Sequence, residues 1–198
     1  MDKTRDAPLF PLNTVLFPGG RLPLRIFEQR YMTMAKNCLK DGTTFGVCLI
    51  RSGNEIGTAA TPAEVGCLAA IGEWEMPQLG VLNVIAQGEQ RFRIIEHRVQ
   101  KDGLAVATIE LLDPEGDAAV PAELSYCAEL LRSALRGSNL PATEQRYDSA
   151  SWISSRLAEI LPLPLSIKQD LLELDSGLER LRRVAALLGP KLPSRPES

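Results

Sequence analysis

Apolar positions along the chain follow two different periods, and the change between them falls near residue 112. Before it the apolar runs are short, as strands are; after it they repeat every three to four residues, as helices do. Residues 7–13 and 15–17 are apolar runs broken by Pro8, Pro11 and Pro18. Proline donates no ladder hydrogen bond, so these runs read as strand ends, edges or bends. Gly19-Gly20 permits a tight reversal, and 22–26 resumes as a strand. Tyr31, Met34, Ala35 and Cys38 share one helical face, which predicts a helix over 27–40 closed by Asp41-Gly42.

Further strands are expected over 43–51, 64–74, 80–86, 90–99 and 104–112, with a polar surface loop over 52–62. Both faces of 80–86 are apolar, which implies burial on both sides. The apolar phase of 90–99 shifts between Ile94 and Ile95, which predicts a bulge. Lys101-Asp102-Gly103 then reads as a hairpin turn. Residues 113–120 form an expected linker. Pro121 opens a helix at its first position, with Leu124, Ala128, Leu131 and Leu135 on one face. A polar stretch, 136–147, precedes a second helix over 151–161, which Pro162 and Pro164 end. Ser166 with Gln169, and Ser176 with Glu179, have the spacing of capping boxes. The last helix carries Leu178, Leu181, Val184 and Leu188 and stops at Gly189-Pro190.

The expected fold class is therefore α+β. A mostly antiparallel β domain with one embedded helix occupies 1–112, and a small C-terminal helical bundle occupies 121–190, with a disordered tail over 191–198. Composition agrees with a folded chain: 198 residues, 44% hydrophobic and 24% charged. The net charge of −3 and the 5% aromatic content oppose a nucleic-acid role, which ordinarily needs a basic face or stacking rings. Cys38, Cys48, Cys67 and Cys127 form no CxxC pair and read as buried free thiols. The first residues, MDKTRDAP, have no apolar core of a signal peptide, and no run reaches the length of a membrane span. A cytoplasmic protein without membrane contact is expected.

Little in the chain offers chemistry. His97 is the single histidine and lies within a strand; alone it makes neither a zinc site nor a charge relay. There is no phosphate-binding GxxxxGK[ST], no GxGxxG and no GxSxG. Ser166 and Lys168 are neighbours, but helix capping accounts for the serine. Glu73 and Glu75 flank Trp74 and read as a solvated edge. Arg91 and Arg93 share one strand face, with Arg98 beyond the bulge. They read either as a solvated face balanced by Glu89 and Glu96 or as a site for an anion or peptide carboxylate. No metal, cofactor or catalytic residue is expected.

Several ordered motifs carry a resemblance. Pro11-Leu12, Val15-Leu16-Phe17-Pro18, Pro23-Leu24 and Phe27-Glu28-x-Arg30-Tyr31 resemble the start of the LON substrate-binding domain, the Lon protease N-terminal domain. Phe45-Gly46-Val47, Val65-Gly66-Cys67-Leu68-Ala69 and Gly88-x-x-Arg91-Phe92-Arg93-Ile94 continue it. Lys168-Gln169-x-Leu171-Leu172-Glu173 and Arg180-Leu181 resemble its helical end, so the likeness spans roughly 8–188. It implies a PUA-like β fold. It also implies a non-enzymatic module that binds polypeptides, unfolded or exposed segments of protein clients, without ATPase or protease modules. A protease or chaperone system is then an expected partner. The expected polypeptide-binding residues are Phe27, Glu28, Arg30 and Tyr31, with Arg91 and Arg93. The alternative is a PUA-like RNA-binding protein.

Overall fold

The alternating first half builds a seven-stranded sheet with one helix packed on it. The computed structural model describes residues 3–55, 60–138 and 145–189. The order is β1 (Thr4–Leu12), β2 (Arg21–Ile26), α1 (Gln29–Asp41), β3 (Phe45–Ser52), β4 (Thr61–Pro62), β5 (Val65–Gln78), β6 (Val81–Val99) and β7 (Ala105–Leu111). Strand β1 pairs antiparallel with β7 and parallel with β3. The path β1-β7-β6-β5-β3 therefore closes on itself, with β4 attached to β3 and β2 to β6. Closure removes the unpaired edges that an open sheet exposes.

The two faces of this ring hold separate cores. One face joins Phe10, Phe45, Val47, Leu82 and Val84 to Tyr31, Met34, Ala35 and Cys38 of α1. The other gathers Leu9, Cys48, Leu68, Ala107 and Ile109 about Phe92. There the strands need glycine: a Cβ on Gly46 or Gly66 would stand 2.6 or 2.7 Å from Cζ of Phe92. All four cysteines are buried free thiols.

Three local expectations change. Strands over 80–86 and 90–99 are one 19-residue strand, β6. Gly88 does not turn the chain; its missing side chain makes room for the loop after β1. A Cβ at Gly88 would lie 2.3 Å from the Phe17 carbonyl oxygen. The loop is tied there by Gly19 N–H donating to the Gly88 carbonyl at 2.7 Å and Gly88 N–H donating to that of Gly20 at 2.8 Å. The stretch 15–17 is accordingly buried but is not a strand. The expected bulge is present, between Ile94 and Glu96. The loop over 52–62 contains β4, and its residues 56–59 lie outside the described residues.

Helix α4 (Leu165–Glu173) also differs from expectation. Contacts group the chain into two units, 1–114 with 162–173, and 115–161 with 174–198. Residues 162–173 thus count with the sheet, whereas the sequence placed them in the helical part. Ser166 lies inside α4, at its second position, rather than ahead of its first turn. Gln169 instead donates through Nε2 to the Val65 carbonyl and to Glu173 Oε1, both at 2.9 Å.

The second unit holds a 3₁₀ turn (Ala122–Leu124) and helices α2 (Ser125–Ala134), α3 (Ala150–Ile160) and α5 (Gly177–Leu188). Pro121 precedes the 3₁₀ turn rather than opening an α-helix. Ser149 caps α3 and Ser176 caps α5, the latter through the Glu179 N–H. Helices α3 and α5 meet closely because Gly177 faces Ser151 without a side chain; a Cβ would sit 2.5 Å away. Fully buried Arg180 pairs with Glu115 and donates to Ser155 Oγ at 3.0 Å. Part of the expected linker is therefore fixed, and Ala119 forms an isolated bridge with Ser149. The tail 191–198 and part of the polar stretch, 139–144, lie outside the described residues.

Candidate functional site

Beyond the ring, β2, β6 and β5 continue as a three-stranded ribbon. Its rows are Pro23–Ile85–Glu73, Leu24–Val84–Trp74 and Arg25–Asn83–Glu75. Side chains alternate between faces, so Leu24, Val84 and Trp74 share one side with α1. Glu73 and Glu75 take the opposite, polar side. There Glu73 pairs with Arg21, and Asn83 donates to Glu75 Oε1 at 2.9 Å. Pro23, Arg25, Glu73, Glu75, Asn83 and Ile85, with Trp74, line a depression of about 510 Å³.

On the α1 side the ribbon overhangs its own core. Trp74 and Met76 project past the buried residues and remain 57% and 50% exposed, as does Phe27 at 53%. Between them and α1 lies a groove of about 570 Å³, lined by Phe27, Gln29, Met32, Thr33, Lys36, Asn37, Leu39, Trp74, Met76, Gly80 and Leu82. Leu79, at the hairpin tip beside Gly80 (φ +83°), is 96% exposed. Exposed large apolar side chains gathered in one place characterise binding surfaces rather than ordinary protein surface. Methionine adds adaptability, because its unbranched chain fits many shapes.

The structure separates the six residues expected to bind polypeptide. Phe27 lies in the groove. Glu28 and Arg30 form an ion pair at 2.9 Å, and buried Arg30 donates through Nη1 to the Gly103 carbonyl at 2.9 Å. Tyr31 is core: its ring stacks on Phe10 at 4.1 Å, the Arg30 guanidinium lies 4.6 Å from its centroid, and burial pushes its phenol up. Arg91 is 3% exposed and donates to the Leu172 carbonyl at 2.9 Å, linking β6 to the end of α4. Arg93 is exposed on β6, opposite Val65 and Glu110. The six are therefore not one cluster. The sequence reading missed Trp74 and Met76, because apolar residues alternating with acids are the pattern of any half-buried strand.

Chemistry stays sparse among the described residues. No group of three or more His, Cys, Asp or Glu is arranged to hold a metal. His97 is exposed on β6, opposite Ala107. Burial raises the Cys48 thiol far above its usual range, which suppresses the reactive thiolate. No helix of the described residues is long and apolar enough to cross a membrane.

Comparison with known proteins supplies a frame for this geometry. The family described as the ATP-dependent protease La (LON) substrate-binding domain matches residues 6–189. The crystal structure of a Lon N-terminal domain protein from Xanthomonas campestris matches with a TM-score of 0.78 and 34% identity, over 92% of this chain and 98% of that one. A Lon protease from Anaeromyxobacter dehalogenans (strain 2CP-C) is 28% identical over 200 residues, 93% of this chain and 23% of that protein. Protein cereblon from Danio rerio is 33% identical over 115 residues, 56% of this chain and 26% of that protein. The chain spans about a quarter of the length of these curated relatives.

Proposed function

The chain belongs to the LON substrate-binding domain family, and from that premise we propose that it is a non-enzymatic module that binds unfolded or exposed segments of client proteins. The observation that carries this reading is the apolar groove of Phe27, Trp74 and Met76 beside α1. An unfolded segment exposes apolar side chains in no fixed shape, and a methionine- and aromatic-lined groove removes them from water without demanding one sequence. The named likeness to a Lon protease makes a protease or chaperone system the partner we favour, in the cytoplasm. The six residues first expected then divide: Phe27 contacts the client, while Glu28, Arg30, Tyr31 and Arg91 shape the fold. Arg93 is an accessible cation outside the groove's lining.

RNA binding is the weaker reading. Arg30, Arg91, Arg156 and Arg180 are buried, so these cations are withdrawn from any phosphate-binding surface.

The test is fluorescence anisotropy with labelled α-lactalbumin, reduced and carbamidomethylated so that it stays unfolded, against its native form. We expect selective micromolar binding of the unfolded form. Trp74→Ala should weaken it about tenfold, the worth of one aromatic side chain largely buried by the ligand. Equal binding of both forms, or of neither, would overturn the reading.

A further inference from the structure

The groove is apolar, but its charge is one-sided. Among the lining residues Lys36 alone is charged. It is exposed on α1 and forms no ion pair with any described residue. The neighbouring carboxylates are engaged: Glu28 with Arg30, Glu73 with Arg21, and Glu75 with Asn83 on the polar side of the ribbon. Lys40 stands one turn beyond Lys36, and the only acid on α1 is Asp41, at its last position. A lysine without a counter-charge beside an apolar wall favours anions nearby, because the low-polarity wall screens its field less than water does.

We propose that the groove selects extended polypeptide segments in which an apolar run adjoins a carboxylate, and that Lys36 is the selecting group. This rests on the polypeptide-binding reading above and names the class of segment bound. The division of labour follows from magnitudes. Desolvating apolar side chains against Trp74 and Met76 supplies most of the affinity. An exposed ion pair adds little affinity but discriminates by sign, since a cation in the ligand is repelled where an anion is attracted. The carboxylate can come from Asp or Glu or from the end of a chain; both present the same two oxygens to an ammonium.

The test uses short fluorescein-labelled peptides that share one Leu/Val/Phe run. The run is followed by two Glu, two Gln or two Lys with an amidated end; a fourth peptide ends directly after the run, with its C-terminus free or amidated. Binding is measured to the wild-type chain, Lys36→Glu, Lys40→Glu and Trp74→Ala, each confirmed folded by its thermal melt. We expect the wild type to prefer the Glu peptide over the Lys peptide by about fivefold. Lys36→Glu should reverse that order, and about 0.5 M salt should flatten it. Trp74→Ala should weaken all peptides alike. Tighter binding of the free than the amidated C-terminus shows that chain ends also supply the carboxylate; equal binding assigns it to side chains. If every peptide binds the wild type equally and Lys36→Glu changes nothing, the charge selection is wrong while the polypeptide-binding reading stands. A preference removed by Lys40→Glu but not by Lys36→Glu overturns the assignment to Lys36. If no apolar peptide binds, both readings fail together.

Discussion

Replacing Arg91 with methionine separates a guanidinium that holds the fold from one that holds a ligand. Arg91 lies in the strand-and-arginine motif that resembles a family signature, and from sequence it reads either as part of a solvated face or as a site for an anion or peptide carboxylate. In the structure it is buried, and its Nη1 donates to the Leu172 carbonyl in the last turn of α4. The last carbonyls of a helix have no partner within it, so this bond satisfies a buried acceptor while pinning α4 to β6. Methionine keeps much of the side-chain volume and removes the charge and the donors. Losing a charged hydrogen bond to a buried carbonyl costs about 2 kcal/mol, which for a chain of this size lowers Tm by about 4–8 °C. The near-UV circular dichroism melt should show that drop. Affinity for unfolded α-lactalbumin, measured well below the transition, should be unchanged. Arg93→Ala, at an exposed position, should move Tm by less than about 2 °C. An Arg91→Met variant that melts like the wild type but no longer binds would refute the structural assignment and restore Arg91 to the binding surface.

Three further predictions concern packing and charge. Gly88→Ala drives a Cβ into the Phe17 carbonyl oxygen, and overpacking against backbone costs about 2 kcal/mol or more; a urea melt should show it, and an unchanged midpoint would contradict the docked-loop geometry. Arg180→Met removes the guanidinium that pairs with the buried Glu115 carboxylate, and breaking a buried pair from one side costs about 3–5 kcal/mol; Arg180→Met with Glu115→Leu should recover much of the loss, and equal stabilities for the single and double variants would contradict that. The hydrogen bond from Arg98, helped by Thr108, holds the Asp6 carboxyl below the usual carboxylate range. Its stabilisation is complete above the unfolded value, about pH 4, and fades as pH falls through the depressed folded value. Asp6→Asn should therefore flatten the stability profile below about pH 4, and an unchanged slope there would rule out the pairing.

Residue pattern reveals the backbone of this fold better than its long-range contacts. The switch from strand to helix periodicity, the bulge after Ile94 and the Ser176 cap depend on neighbours in sequence, so they are legible there. The continuity of β6 is not. Gln87-Gly88-Glu89-Gln90 looks like a turn, and only the approach of Phe17 from 71 residues earlier explains the glycine. Ser166 and Gln169 have capping spacing, but Gln169 is drawn to the Val65 carbonyl, a partner that spacing cannot show. The site divides in the same way. Phe27 is visible because it adjoins a helix start. Trp74 and Met76 resemble ordinary strand residues until the ribbon is seen to overhang its core. Buried arginines mislead in the opposite direction: Arg30 and Arg91 look like surface cations until their carbonyl partners are placed.

The central claim is that the groove between α1 and the β5–β6 hairpin is where client polypeptide binds. Hydrogen–deuterium exchange with mass spectrometry, with and without saturating unfolded α-lactalbumin, tests it most directly. The account predicts slowed exchange over 27–39 and 73–82, with little change over α3 and α5. Binding accompanied by protection elsewhere and none in those two stretches would contradict it.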